Sequence, residues 1–141
     1  MQSDELLKLD HQLCFAIYSA NLAFNQVYRK LLKPLGLTYP QYLVMLILWE
    51  QDAVTVSKIG NLLNLESSTL TPMLKRMEAS DFIYRQRSNT DERQVFIYLT
   101  QHGKELKQQA QKVPEAIQNY SDLKHQLMQL SQQLQEKLID S

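Results

Sequence analysis

Apolar positions recur along this chain with two different periods, and the changes from one to the other mark out its elements. From Leu13 the positions Leu13, Ile17, Ala20, Phe24, Val27 and Leu31 step by four, three, four, three and four. This stripe predicts a long first helix over residues 10–35, with Asp10 as its N-cap. Pro40 then opens a helix from Gln41 to Glu50 whose run Tyr42-Leu-Val-Met-Leu-Ile-Leu-Trp49 reads as buried nearly all round. Thr55 is a natural N-cap for a short helix with Ile59, Leu62 and Leu63 on one face, and Asn64-Leu65 supplies a turn. A second helix from about Ser67 to Ala79 carries Leu70, Leu74 and Met77 inward. The segments Phe82–Arg87 and Gln94–Leu99 are rich in β-branched and aromatic residues, and the polar loop Ser88–Arg93 joins them as a hairpin. Thr100 caps a further helix, and Val113-Pro114 marks the break after it. Leu123, Leu127, Leu130, Leu134 and Leu138 then repeat the helical stripe behind Ser121-Asp122, in a last helix placed over 115–139.

The fold class expected is mainly α with a small β-ribbon. Residues 55–99 have the outline of a winged helix-turn-helix, and 1–141 are expected to form a single domain. Each terminal stripe is more than a small winged helix needs for its own core, so the helices at 10–35 and 115–139 are read as dimerisation helices. The competing reading is that they cover each other within a monomer.

This outline points to double-stranded DNA. Ser67, Ser68, Thr69 and Thr71 place small hydroxyls at the front of the second helix, with Lys75 and Arg76 behind, a surface suited to a groove. Arg85, Arg87 and Arg93 are expected to project beyond the core of the hairpin, where a guanidinium can enter a narrow minor groove or clamp phosphate. Asp91, two residues before Arg93, is placed to hold its fork. The alternative is that these arginines only solvate an exposed ribbon. Charge argues against DNA: the chain sums to zero, and residues 54–98 hold six cations against five anions. Helix N-termini and backbone amides contribute outside that count, and a symmetric dimer doubles every contact.

With 44% hydrophobic residues the chain can build a core, and three glycines and four prolines leave little room for long linkers. No apolar run approaches membrane-spanning length, and Met1-Gln-Ser-Asp-Glu lacks the features of a secretion signal, so a cytoplasmic protein with no membrane partner is expected. One cysteine excludes an intramolecular disulfide and a multi-cysteine metal site, and His11, His102 and His125 lack ligand spacing, so neither metal nor cofactor is expected. With Asp10 as cap, Cys14 falls at about the fourth helical position, where the helix dipole favours a thiolate able to attack peroxides. Against this, a cysteine between Leu13 and Phe15 also reads as inert core filler. Tyr18 lies one turn along the same face, and Tyr28 and Tyr39 are candidates to present hydroxyls to a thiolate across a dimer interface.

The segments Gln12-Leu-Cys-Phe-Ala-Ile-Tyr18, Leu37-Thr-Tyr-Pro-Gln-Tyr-Leu43, Thr69-Leu-Thr-Pro-Met-Leu-Lys-Arg-Met-Glu78 and Asp91-Glu-Arg93 resemble the MarR family, over nearly the whole chain. Within it, Leu-Cys-Phe and Thr-Tyr-Pro-Gln-Tyr are similar to the organic hydroperoxide resistance regulators. The resemblance implies a homodimeric repressor that releases operator DNA when an organic hydroperoxide oxidises Cys14. It implies that Tyr28 and Tyr39 hydrogen-bond the thiol from the partner subunit, that Tyr18 lines the same pocket, and that Arg93, braced by Asp91, reads the minor groove. Relatives with a second cysteine lock the oxidised state as an intersubunit disulfide; this chain has none, so a small cellular thiol or further oxidation must complete the switch. Ser68 and Glu66 depart from the glycine and aspartate often found in relatives, which bears on operator preference. The rival readings are a repressor controlled by reversible binding of an aromatic ligand, a one-cysteine thiol peroxidase, and an architectural DNA-binding protein without a switch.

Overall fold

Gln12 sets where the first long helix begins. In the computed structural model, which describes residues 3–117 and 120–140, its side-chain amide donates to the carbonyls of Leu6 and Lys8. His11 Nδ1 pairs with the Glu5 carbonyl at 2.8 Å. These bonds fold the preceding residues into a short helix, α1 (Ser3–Leu6), and a 3-10 turn at Leu9–His11, so α2 runs Leu13–Leu32. Asp10 therefore lies in the turn and does not cap the helix, and the predicted span 10–35 contracts at both ends. At the far end Lys33–Leu35 is a 3-10 turn, closed by Gly36 in the left-handed region at φ 73°.

α3 (Tyr39–Glu50) starts two residues before Gln41, because Thr38 and Gln41 form a reciprocal capping box. Tyr42, Val44, Met45 and Leu48 are buried, but Leu46 is exposed, so the helix is enclosed on most sides and not on all. The Trp49 indole donates to the Gly103 carbonyl at 2.9 Å.

The two-residue strand β1 (Val54–Thr55) has no counterpart in the sequence pattern. It pairs antiparallel with β3, held by the Asp52 carboxylate, which accepts the Ala53 and Leu99 N–H groups at 2.9 Å each. Thr55 caps α4 (Val56–Leu63) through the Lys58 N–H, as expected, and Asn64 turns the chain in the left-handed region. α5 spans Ser67–Ala79, β2 Ile83–Arg87 and β3 Val95–Leu99, giving a sheet of order β1-β3-β2. α6 (Gln101–Ala110) is capped by Thr100, whose hydroxyl accepts the Gly103 N–H. A side chain at Gly103 would put Cβ 2.2 Å from the Phe82 carbonyl oxygen, so glycine is required where α6 crosses the start of the ribbon. Met45, Leu48, Ile59, Leu70, Leu74, Met77, Ile83 and Ile97 are fully buried and join α3, α4, α5 and the sheet in one core.

This unit ends at Ala110, and a second begins at Gln111. The helical break falls at Gln111, before the predicted Val113-Pro114, and Pro114 lies inside the short helix α7 (Lys112–Ala116). A proline in the first turn gives up an N–H that has no helical acceptor there. α8 runs Ser121–Asp140, so the last helix starts later than residue 115, and positions 118 and 119 of that predicted span lie outside the described residues. Among the described residues no single helix is long and apolar enough to cross a membrane.

Candidate nucleic-acid interface and thiol site

The short turn between α4 and α5 is closed at Gly60, where a Cβ would stand 2.9 Å from the Leu65 carbonyl oxygen. α5 then buries Leu70, Met73, Leu74 and Met77 and turns its other face outward. Ser67, Ser68, Thr69, Lys75 and Arg76 are exposed and Thr71 is half-buried, so the six positions expected to meet DNA share one accessible helix. No side chain caps the first turn of α5, which leaves N–H groups at its positive end for an anion such as phosphate.

The wing is built by small side chains. Ser88 Oγ accepts the N–H groups of Thr90 and Asp91, and the Asp91 carbonyl accepts the Gln94 N–H at 3.0 Å. Asp91 Oδ1 takes the Arg93 N–H at 3.0 Å and lies 3.5 Å from its Nε. The Arg93 side chain is 93% exposed, so Asp91 steers a guanidinium that has no other contact among the described residues. Arg87 is exposed too and ties the loop by donating from Nη1 to the Glu92 carbonyl at 3.2 Å.

Arg85 differs from the expectation of a projecting arginine. It is half-buried at the base of the wing, where Glu78 accepts its backbone N–H at 2.9 Å and its Nε at 3.2 Å. The sequence showed no hint of this partner, which lies seven residues back across a turn. The backbone N–H bond, with the guanidinium adding to it, holds the Glu78 carboxyl below its ordinary pKa. A lowered carboxylate stabilises the fold above the ordinary glutamate value of 4.5, and that contribution is lost as pH falls through the lowered value. Wild type should therefore melt above Glu78→Gln at neutral pH and approach it on acidification below that window; a gap in melting temperature that stays constant with pH would refute the assignment.

Cys14 is exposed and stands second in α2, nearer the helix N-terminus than the fourth position expected, because α2 starts at Leu13. Tyr18 follows one turn later and is 61% exposed. Tyr28 and Tyr39 are not near this thiol in their own chain: fourteen residues of helix separate Cys14 from Tyr28, about 21 Å along the axis. They meet each other instead, with ring centroids 5.1 Å apart, in a cluster with Phe24 and Tyr42. Burial raises the phenol pKa of Tyr28, Tyr39 and Tyr42, and Tyr28 adds to the shift in the other two, so all three remain O–H donors at neutral pH. In the sequence Tyr42 reads only as the first residue of a buried run, although its spacing of three from Tyr39 places both on one side of α3. Along α2 from Cys14 onward, and at Leu13 before it, the apolar residues Leu13, Phe15, Ile17, Leu22, Phe24 and Val27 are exposed.

Comparison with known proteins adds sequence and structural relatives. The family model for the transcriptional regulator SarA/Rot matches residues 26–110. The organic hydroperoxide resistance transcriptional regulator of Bacillus subtilis is 50% identical over 111 residues, covering 79% of this chain and 76% of that protein. The regulator TtmR of Methylorubrum extorquens is 51% identical over 114 residues, 81% of this chain, which spans only 58% of TtmR. Among solved structures, reduced AbfR bound to DNA superposes with a TM-score of 0.87 at 39% identity, covering 97% of this chain and 99% of that one. Overoxidized AbfR bound to DNA gives 0.85 at 39% identity, over 96% and 98%.

Proposed function

We propose that this chain, which belongs to the MarR family of winged-helix transcriptional regulators and within it to the SarA/Rot type, is a homodimeric repressor that senses organic hydroperoxides through Cys14. The observation that carries the reading is Cys14 itself, the chain's single cysteine, exposed on an apolar helix face with its candidate donor Tyr28 about 21 Å away in the same chain. If two copies of α2 pack antiparallel about Asn21, residues 14 and 28 are equidistant from the two-fold axis, and each thiol comes level with Tyr28 of the partner subunit. The exposed stripes of α2 and of α8, where Leu123, Leu127 and Leu134 are exposed, supply apolar surface for such a dimer. α5 enters the major groove with Ser67, Ser68, Thr69, Thr71, Lys75 and Arg76. The wing presents Arg93, braced by Asp91, to the minor groove, with Arg87 beside phosphate and Arg85 held back at the base by Glu78.

The chemistry follows from the residues. Cys14 first gives up its thiol proton; the thiolate then attacks the outer oxygen of the hydroperoxide and donates two electrons, the O–O bond breaks, sulfur keeps the transferred O–H as a sulfenic acid, and the leaving alkoxide takes up the proton the thiol released and departs as an alcohol. Tyr28 and Tyr39 of the partner subunit, kept as donors by burial, hydrogen-bond the thiolate and then the sulfenic oxygen, while Tyr18 lines the pocket. A small cellular thiol displaces water from sulfur to give a mixed disulfide too large for the pocket. Its exit displaces α2, turns one winged helix against its mate and spoils the half-site spacing. AbfR is found overoxidized and still on DNA, which favours the bulky adduct over a sulfinic acid as the releasing species. Each thiol is consumed once per switching event, so the chain acts as a regulator and not as an enzyme, and its DNA and thiol partners place it in the cytoplasm.

A gel shift on DNA upstream of this protein's own gene tests the reading. Wild type should bind, leave on treatment with an organic hydroperoxide plus a small thiol, and rebind after reduction, while Cys14→Ser stays bound. If both proteins bind and neither responds, Cys14 is not the sensor, and control by a small aromatic ligand becomes the better account.

A further inference from the structure

β2 is an edge strand, with β3 on one side and, among the described residues, no strand on the other. The Ser88 N–H donates to the Gln94 carbonyl at 2.9 Å, so the even positions of this strand direct their backbone groups at β3 and the odd positions direct theirs outward. Arg85 belongs to the outward set. Its N–H, which a lone edge strand would leave to solvent, is instead taken by a side chain of the neighbouring helix, Glu78 in the last turn of α5. The second oxygen of the same carboxylate takes Arg85 Nε. One side chain of the groove-facing helix thus fixes both the main chain and the side chain of one residue in the strand that carries the wing.

We propose that Glu78 is a positioning residue for DNA recognition, setting the angle between α5 and the wing so that both grooves are met at once. This rests on the DNA-binding reading above and adds a residue to it. Besides packing in the shared core, α5 and β2 are joined along the chain only by Ser80-Asp81-Phe82, with Asp81 in the left-handed region at φ 64°. Beyond Arg85 the hairpin extends about five residues, roughly 15 Å at strand rise, so a rotation of about 10° at the base moves the tip by about 2.6 Å. A shift of that size takes Arg93 out of hydrogen-bonding reach of a groove that α5 still occupies.

Charge alone predicts the opposite effect of removing Glu78. Taking an anion from a DNA-facing surface strengthens binding to any duplex through the phosphate term. A tie that sets wing angle instead weakens binding to the correct site and leaves unrelated DNA bound as well or better. Glu78→Asp separates the two further, since it keeps the charge but is one methylene too short to reach both donors.

The experiment uses the full chain as wild type, Glu78→Gln and Glu78→Asp. Amide hydrogen exchange is followed by NMR, and affinity is measured by fluorescence anisotropy on a duplex from upstream of the protein's own gene and on an unrelated duplex of equal length. In Glu78→Asp, too short for both donors, the Arg85 amide should exchange about tenfold faster or more, and in Glu78→Gln, whose single amide oxygen can still accept one donor, by a smaller factor, while those of Tyr84 and Gln86, which face β3, stay protected. Affinity for the upstream duplex should fall about tenfold with none lost on the unrelated one. Unchanged Arg85 protection overturns the tie, and so do variants that discriminate between the duplexes as well as wild type does. A wild type with no preference for the upstream duplex overturns the DNA reading itself, and the positioning role with it.

Discussion

Ile17→Asp is expected to yield a folded monomer that no longer binds operator DNA. Ile17 lies on the α2 stripe one turn after Cys14 and is 41% exposed in the single chain, so its side chain contributes little to the core of its own unit. Helical content and the buried set around Met45, Ile59 and Ile97 should therefore survive. In a symmetric dimer the substitution enters twice, and each carboxylate faces apolar surface without a partner, at several kcal/mol per uncompensated charge. DNA affinity falls with the dimer because the chain carries almost no net charge to hold a single winged helix on phosphate; the second copy supplies its contacts at high effective concentration. Sedimentation velocity and anisotropy on the same samples check the outcome. Leu62→Asp, at a similarly exposed leucine of α4 off the stripe, should stay dimeric. An Ile17→Asp protein that remains dimeric would refute the assignment of α2 to the interface.

The parts of the fold legible in the sequence are those whose causes are local. α5 begins and ends where the period and the turn residues place it, Thr55 and Thr100 cap the helices they precede, and the hairpin follows its β-branched and aromatic runs. What escaped depends on partners distant along the chain or on bonds the pattern does not encode. β1 exists because Val54 and Thr55 lie against Ile97 and Phe96 of β3; in sequence they are merely the approach to a helix. α2 starts late because the Gln12 amide reaches back to Leu6 and Lys8, a long-side-chain contact that an N-cap rule favouring Asp10 overlooks. The same holds for the site. Asp91 beside Arg93 was legible because the spacing is two, whereas the Glu78–Arg85 pair spans a turn and turns an arginine expected to project into one that is anchored. The tyrosines were legible as residues but not as a cluster, since Tyr28 meets Tyr39 and Tyr42 only when α2 and α3 pack.

Arg93→Ala is expected to weaken operator binding without changing the dimer, the melting temperature or the response of Cys14 to peroxide. With its side chain 93% exposed and tied only to Asp91, its removal takes nothing from the core, so any loss of affinity belongs to DNA. A minor-groove guanidinium is worth about 1 to 3 kcal/mol, and both wings of a dimer lose it, so the expected loss is about 2 to 6 kcal/mol, roughly thirtyfold or more. The salt dependence identifies the contact that was lost. If Arg93 neutralises phosphate, the slope of log affinity against log salt falls by about one per wing, and affinity drops equally on every sequence. If it lies in a narrow minor groove, the loss is greatest on sites whose flanks narrow that groove, because the enhanced negative potential there depends on sequence. Asp91→Asn should fall between wild type and Arg93→Ala, since an amide oxygen can still accept the Arg93 N–H but no longer attracts its guanidinium. Operator affinity unchanged by Arg93→Ala would remove the wing tip from the interface and leave α5 as the reading element.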